Sequence, residues 1–509
     1  MDSTTSPPPT RFNQRFAVLG AIALAAVLYA WFIYRQGAPY AGGSDSSGYL
    51  NSARLLAQGR LSEPARVIPG LNPPKWDNYF YQPLGCSVDA VTARLVPSYP
   101  IGLPLHYVAA AALVGFEKAA RLINVLNVLV GGALLYGLGR LLGLGRGWAL
   151  GGVALLWACP VWIYQSLQPM SDTVATTWAL AALYCAWRAR SRLGWAIAAG
   201  AAFAMAVLVR PTGAVIILPL LVILGSQWRA WIRFGCGGLP FAVALGAYNF
   251  AVYGRVLETG YNHGGHNIFD AFAWEFLGGN LRHFAWWIPL LLAPPVVILA
   301  VLGLPGLLRR TPRTGLFLLA WVAGLVGLYA CYYCAGETWW YLRFLLPAFP
   351  AVILAGLLAG QHFATRLSGH LPWLVPTALL LASLGFQYRL ADNLHVTWIR
   401  DGEKNYWLAG NFVREQVPAD AILLAWNLSG SLLFYNTQAI VRWDLTEPWD
   451  FALLCRTAAK LHRPIYAPLF GFEKAELQKK LGGEWVAVGH PGNVTVWRLV
   501  APPASEVAR

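Results

Sequence analysis

The chain has 509 residues, of which 57% are hydrophobic and only 12% charged, with a formal net charge of +15. Soluble domains carry about a quarter charged residues, so the composition excludes an ordinary soluble protein and indicates a polytopic membrane protein. The arginines fall in short loops between apolar runs rather than on one continuous basic face, which argues against a nucleic-acid partner.

The N-terminus, Met1 to Gln14, is polar and proline-rich, and Arg11 and Arg15 precede an apolar run at about 16–34. That run lacks a small-residue cleavage site and reads as an anchor rather than a signal peptide. Just beyond it comes Gly42-Gly43-Ser44-Asp45-Ser46-Ser47-Gly48-Tyr49, which puts a carboxylate at the membrane–water boundary. Tyr49-Leu50, Ala53 and Leu56-Ala57 follow at helical spacing, with Asn51, Arg54 and Gln58 between them. The pattern predicts a short amphipathic helix along the membrane surface. Asp45 then has two readings: Ser44 or Asp45 caps that helix, or the carboxylate serves an incoming lipid head group or acceptor.

Asn72 to Pro83 is rich in aromatics and prolines, as befits a substrate-facing loop or plain interfacial anchoring. Tyr99 to Gly115 is apolar but short and contains Pro100 and Pro104. A crossing there would invert every later loop and carry arginines outside, so it reads as a second interfacial helix within a first outer loop of about 35–120.

Ten further spans follow at about 121–139, 148–166, 173–188, 195–209, 212–227, 235–253, 285–307, 315–334, 344–360 and 371–388, giving eleven in all. The fifth and sixth flank Arg210-Pro211-Thr212-Gly213 and predict a tight helical hairpin. Arg140 and Arg146, Arg188 to Arg192, Arg229 and Arg233, Arg309 to Arg313, and Arg366 occupy alternate loops, from which Asp and Glu are absent apart from Asp2. This asymmetry predicts an inner N-terminus and an outer C-terminus. From about Arg389 a tail begins, with strand-like runs at 421–426, 439–443, 463–467 and 494–499 and helical spacing over Pro448–Leu461 and Phe472–Leu481. The expected fold is an all-α polytopic membrane protein of about eleven transmembrane helices (1–388), with interfacial helices in the first outer loop. A small extracytoplasmic α/β domain (389–509) completes it. There is no internal repeat, phosphate loop or nucleotide fingerprint. The seven cysteines are scattered, and Cys331 and Cys334 read as small buried side chains.

No Asp, Glu or Lys falls in the middle of an expected span, which counts against an ion-coupled transporter. The chemistry collects in the outer loops as Asp45, Asp172, Arg210, His263, His266, Glu337 and Arg343. Tyr261 to His266 offers two imidazoles that could serve a divalent metal ion, with Glu258 or Asp270 completing the set. Loop histidines more commonly meet solvent or a substrate hydroxyl, so no cofactor is fixed by this motif.

Several motifs carry a family resemblance: Ser44-Asp45 through Tyr49, Tyr99-Pro100-Ile101-Gly102-Leu103-Pro104, and Ala120-Arg121-Leu122-Ile123-Asn124. Met170-Ser171-Asp172, Val209-Arg210-Pro211-Thr212-Gly213 and Trp340-Tyr341-Leu342-Arg343-Phe344-Leu345-Leu346-Pro347 complete them. In this order the chain resembles the GT-C superfamily of membrane glycosyltransferases, which take sugars from polyprenyl-phosphate donors. Protein O-mannosyltransferases and lipid A aminoarabinose transferases are similar in plan, and lipopolysaccharide-sugar transferases of the rhizobial type look closer still. The resemblance covers the whole membrane part and the tail more weakly.

It implies a bacterial cytoplasmic-membrane enzyme that moves a sugar to an envelope glycolipid, polysaccharide or protein. Asp45 would be the base of one inverting displacement, and Arg343 or Arg210 would hold the leaving phosphate. Asp172 would be a second acid that orients the acceptor or a neighbouring arginine. Tyr49, His263, His266 and Glu337 complete the expected substrate-binding set. Ser46 stands where the mannosyltransferases carry Glu, so their acceptor specificity does not transfer. The rival readings are a transporter or lipid flippase, and a non-catalytic envelope-assembly protein.

Overall fold

The computed structural model describes residues 11–71, 80–89, 91–263 and 267–503. Helix α1 (Arg11–Gln36) is the first span, and little of it is buried inside the protein. The segment after α1, expected as the first outer loop, folds into α2 (Ser44–Ala57), a small antiparallel sheet and α3 (Gly102–Val114). The sheet joins β1 (Glu63–Pro64), β2 (Cys86–Asp89) and β3 (Arg94–Pro97) in the order β1-β3-β2, with Val88 opposite Leu95. Most of the aromatic stretch from Asn72 lies outside the described residues, but Tyr81 accepts from the Ile68 amide (3.1 Å) and donates to the Leu71 carbonyl (2.8 Å).

The membrane part continues through α4 (Phe116–Leu141), α5 (Arg146–Ala158), α6 (Pro160–Ser166), α7 (Ser171–Ala189) and α8 (Trp195–Val209). A 3-10 segment, Pro211–Ile216, runs into α9 (Ile217–Leu224), followed by α10 (Trp228–Tyr253) and α11 (Leu277–Leu292). Then come α12 (Pro294–Arg310), α13 (Pro312–Ala330), a second 3-10 segment Trp339–Ala348, α14 (Phe349–Ala364) and α15 (Leu371–Asn393). The helix breaks fall in front of prolines, which lack an N–H and push the preceding residue out of helical geometry. Cys159 before Pro160 and Arg210 before Pro211 are extended, and Ala293 before Pro294 has φ +66°.

The expected spans fall mainly on helix, but not all as straight crossings. Among the described residues six helical stretches are long and apolar enough to cross a bilayer, or eight if each bent pair is one crossing. The pair α5–α6 bends by 63° and the pair formed by α11, with the short turn before it, and α12 bends by 114°. The stretch expected as one span at 285–307 is therefore two helices. Small residues bring neighbouring backbones together. A Cβ on Gly200 or Gly237 would run into the Phe234 or Ile197 carbonyl across the α8–α10 seam.

The C-terminal part holds α16 (Ile399–Gln416), β4 (Ile422–Leu424), α17 (Ser429–Tyr435), β5 (Ala439–Val441) and α18 (Pro448–Lys460). It ends with β6 (Ile465–Phe470), α19 (Glu473–Leu481), β7 (Glu484–Gly489) and β8 (Val494–Ala501). The sheet order is β5-β4-β6-β8-β7, with β5, β4 and β6 parallel and β8 and β7 antiparallel to their neighbours. Helices α17 and α18 make the crossovers that parallel strands require. The four expected strands are β4, β5, β6 and β8, while β7 is an additional edge strand.

This sheet shares one hydrophobic core with the segment between α2 and α3, through Ile68, Leu71, Tyr81, Val88 and Leu95. Helix α2 accordingly does not lie on the membrane with one face in water. The C-terminal part covers its polar side: the Asn51 amide donates to the Gly430 carbonyl (2.9 Å), and Arg54 donates to the Leu433 and Phe434 carbonyls (3.2 and 2.9 Å).

Candidate active site

Helix α2 begins at Ser44, its N-cap is Gly43, and no side chain caps it. Asp45 is thus free of the capping role and sits in the first helical turn, where the positive end of the helix dipole favours a carboxylate. One Asp45 oxygen lies 2.8 Å from an Arg343 guanidinium nitrogen, with a quarter of the aspartate side chain (26%) still exposed. The Tyr99 hydroxyl hydrogen-bonds to the same carboxylate and lies 2.8 Å from the Ser44 hydroxyl. Glycines permit this closeness: a Cβ on Gly48 would collide with the Tyr99 ring, and one on Gly85 (φ +84°) would strike the α2 backbone at Gly48.

Asp172 opens α7, again without a side-chain cap at that helix start. It is buried, pairs with Arg210, and has its second oxygen 4.0 Å from Arg343. Arg210 is where α8 breaks before Pro211, and Arg343 lies in the 3-10 turn that leads into α14. Both guanidiniums lie over the Phe344 ring, at 5.0 Å for Arg210 and 5.1 Å for Arg343. Such stacking suits arginine, which is weakly hydrated and planar. The result is two carboxylates and two permanent cations in one cluster, with unused capacity. Arg343 Nε and Asp172 Oδ2 are buried without a hydrogen-bond partner.

Burial by itself would raise the Asp45 carboxyl, but the Arg343 charge, the Tyr99 and Arg343 hydrogen bonds and Arg210 together hold it below its ordinary value. Burial, and then the Asp45 charge, push the Tyr99 phenol well up, so it stays a hydrogen-bond donor. Asp45 is therefore ionised and held as the counter-ion of Arg343.

Four of the residues expected from sequence, Asp45, Asp172, Arg210 and Arg343, meet here. Tyr49 borders the cluster: its hydroxyl donates to Ser171 (2.9 Å), next to Asp172. His263 does not join them. Its two ring nitrogens meet Glu258 (2.7 Å) and Asp89 (3.4 Å), tying the loop after α10 to the end of β2. Asp270 is engaged by Asn267 instead of joining His263. His266 lies outside the described residues. Glu337 is exposed and makes none of the cluster's ion pairs. Among the described residues no group of three His, Cys, Asp or Glu side chains is arranged to hold a metal ion.

Two functional candidates fall outside the residues expected from the sequence. Tyr99 lies in one of the motifs that carried the resemblance, so its position could have been read. Glu403 of α16 comes from the tail, and its carboxyl reaches the Gly42–Gly43 turn beside Asp45. No local pattern around Glu403 signals this, because only the docking of α16 on that turn brings it there.

This architecture, a helix after the first span that presents an acid to arginines at the ends of apolar helices, is that of a multi-pass membrane protein, and its fold matches the GT-C type. The family model described as dolichyl-phosphate-mannose-protein mannosyltransferase matches residues 100–248. ArnT from Cupriavidus metallidurans, solved bound to undecaprenyl phosphate, superposes with a TM-score of 0.58 at 14% identity, covering 95% of this chain and 99% of that one. The oligosaccharyltransferase AglB from Archaeoglobus fulgidus, in complex with an inhibitory peptide and a dolichol-phosphate, gives 0.56 at 11% identity over 98% of this chain and 75% of that one. The mycobacterial arabinofuranosyltransferase AftD gives 0.51 at 16% identity over 97% of this chain and 42% of that one. No curated protein matches by sequence. The chain is thus similar in fold to membrane glycosyltransferases of the GT-C type, and over residues 100–248 to the mannosyltransferase family model.

Proposed function

We propose that the protein transfers a sugar from a polyprenyl-phosphate donor to a hydroxyl of a cell-envelope acceptor (glycolipid, polysaccharide or protein) at the outer face of the bacterial cytoplasmic membrane. The observation that carries this reading is the Asp45–Arg343 ion pair, 2.8 Å long, with the Asp172–Arg210 pair behind it. A base beside a phosphate-binding cation is what a glycosyl transfer with a phosphate leaving group requires.

In the step we infer, the Asp45 carboxylate takes the proton of the acceptor hydroxyl as its oxygen attacks the anomeric carbon. The anomeric carbon–oxygen bond to phosphate breaks on the opposite face, so the configuration inverts. The departing electron pair goes to the phosphate, a weak base that needs no general acid. Arg343 and Arg210 would carry that developing charge in a largely dehydrated place. Arriving phosphate also competes with Asp45 for Arg343. Donor binding thereby releases the carboxylate from its counter-ion and makes it more basic when an acceptor is to be deprotonated.

The reading includes a membrane unit over 1–388 and a tail from 389 that lies outside the cytoplasm, as the arginine asymmetry supports. A reporter active only outside the cytoplasm, fused after Arg509, checks the topology: it should be active, and a well-expressed silent fusion overturns the threading. The direct test of function supplies purified protein with an undecaprenyl-phosphate-linked sugar and envelope extract. Release of undecaprenyl phosphate with a product of inverted anomeric configuration is expected. Folded protein that releases none but moves the lipid between the leaflets of a vesicle would favour the flippase reading.

A further inference from the structure

Outside the Asp45 cluster a half-buried acid, Glu403, has a carboxyl oxygen with no assigned use. Glu403 lies on α16, and its carboxyl rests against Gly42, where a Cβ would occupy the space of the carboxyl itself. Its Oε2 is buried without a hydrogen-bond partner, and among the described residues Glu403 makes no ion pair. The turn it touches is held by the same part of the chain. The Tyr406 hydroxyl meets the Gly43 backbone, and the Ala41 amide donates to the Tyr435 hydroxyl (3.0 Å). The titratable groups that face Glu403 are Asp45 from α2, Tyr164 from α6, Tyr406 from its own helix and Tyr435 from α17.

We propose that α16 builds the acceptor side of the transfer site, with Glu403 as a positioning residue that hydrogen-bonds an uncharged polyol acceptor beside Asp45. The inference rests on the transferase reading and deepens it. Three facts point the same way. First, the oxygen without a hydrogen-bond partner rests against Gly42, three residues before Asp45, and the Glu403 carboxyl feels the Asp45 charge. Second, burial and then the Asp45 charge push the Glu403 carboxyl up to about 8, so near neutral pH it carries a proton that it can donate. Third, the facing groups are phenols and one carboxylate. An acceptor with its own phosphate or carboxylate here would meet the Asp45 charge while Arg343 is already engaged by that carboxylate, whereas hydroxyl groups find donors and acceptors both. A protonated Glu403 against Gly42 and an ionised Asp45 three residues on suit a polyol, one hydroxyl held and another activated.

The experiment uses the full chain in nanodiscs, a labelled undecaprenyl-phosphate sugar and envelope extract as the acceptor source, read from pH 5.5 to 9.5. Wild-type transfer is expected to fall above about pH 8 as Glu403 ionises. Glu403→Gln should cost no more than about threefold near neutral pH and remove that alkaline fall. Glu403→Ala should raise the half-saturating extract concentration about tenfold or more, with a smaller change in kcat, because one acceptor hydrogen bond is lost. Gly42→Ala, which displaces the carboxyl without removing it, should copy Glu403→Ala.

A second readout needs no activity. The folded-state value is raised, so the stability linked to Glu403 is present below the ordinary glutamate range and lost as pH rises through about 8. The melting-temperature gap between Glu403→Gln and wild type should therefore widen from about pH 5 to pH 8 and then level off. A gap that does not change with pH overturns the proposal, as does Glu403→Ala with wild-type half-saturation. If wild type transfers no sugar from any polyprenyl-phosphate donor, the transferase reading fails and the Glu403 proposal with it, whereas normal wild-type transfer with an unchanged half-saturation in Glu403→Ala overturns the Glu403 proposal alone.

Discussion

At the start of α2, Asp45 faces two guanidiniums with polar atoms to spare, whereas His263 has each ring nitrogen matched to one acid, Glu258 and Asp89. The two clusters both pair acids with basic side chains and both involve the segment between α1 and α4, but they differ in completeness. The His263 cluster is satisfied and joins two loops, so its chemistry is used up in holding structure. The Asp45 cluster keeps Arg343 Nε and Asp172 Oδ2 unpartnered and a quarter of the Asp45 side chain open. Buried polar capacity without a partner is costly to a fold that gains nothing by it, which supports the proposed ligand site here.

The sharpest way to break this contrast is Asp45→Asn. The substitution keeps side-chain size and removes the proton acceptor, so sugar transfer should fall about 10²–10⁴-fold. Transfer is measured as undecaprenyl phosphate released by variants of matched thermal stability. A near-native rate would make Asp45 as structural as His263 and move the base elsewhere.

Arg343→Ala comes next. It should lower kcat about 10²–10³-fold, as loss of one charge-stabilising group does, and raise the donor KM as well. Arg343→Lys should recover only part, because an ammonium cannot grip a phosphate with two parallel hydrogen bonds.

The pH dependence sharpens the same point. Because the Asp45 carboxyl is held low, its contribution to stability and activity is present above the ordinary aspartate range, about 4, and is lost as the pH falls through the lowered folded value. Arg343→Gln removes the largest opposing charge, so the acid limb of its residual rate should move to higher pH. An unmoved limb would show that another group titrates there.

The smallest effect is expected at the closed cluster. His263→Ala should cost about 1 kcal/mol of stability by leaving two acids facing each other, and change transfer by no more than about threefold. A loss as large as that of Asp45→Asn would return His263 to the substrate.

Much of this was legible because membrane helices write themselves in long apolar runs. The span expected at 195–209 is α8, and Arg210 marks its end because the next residue is Pro211. Asp45, Asp172, Arg210 and Arg343 could be grouped because each flanks a span on the side expected to be outer. The small sheet of the first loop could not be read, since its strands have two to four residues, too few to show alternation. Strand β7 escaped for another reason: it lies at a sheet edge, and its Val486 and Val488 are exposed, so its alternation does not separate a wet face from a dry one. The amphipathic pattern of α2 was read correctly as a helix, but its polar side meets Gly430 and Leu433 instead of water. Sequence spacing cannot reveal a partner almost four hundred residues away.

That distance has a consequence for how the protein is made. The hydrogen bond from Asn51 to the Gly430 carbonyl spans 379 residues of chain. The ribosome adds about 5–20 residues each second, so the helix that bears Asp45 waits tens of seconds for the segment that covers it. During that interval its serines and Asn51 remain wetted, and Glu403 has not yet been synthesised. A nascent chain in the membrane therefore carries the acid but not its finished surroundings, and the site is assembled only after Glu403 and Gly430 have been added.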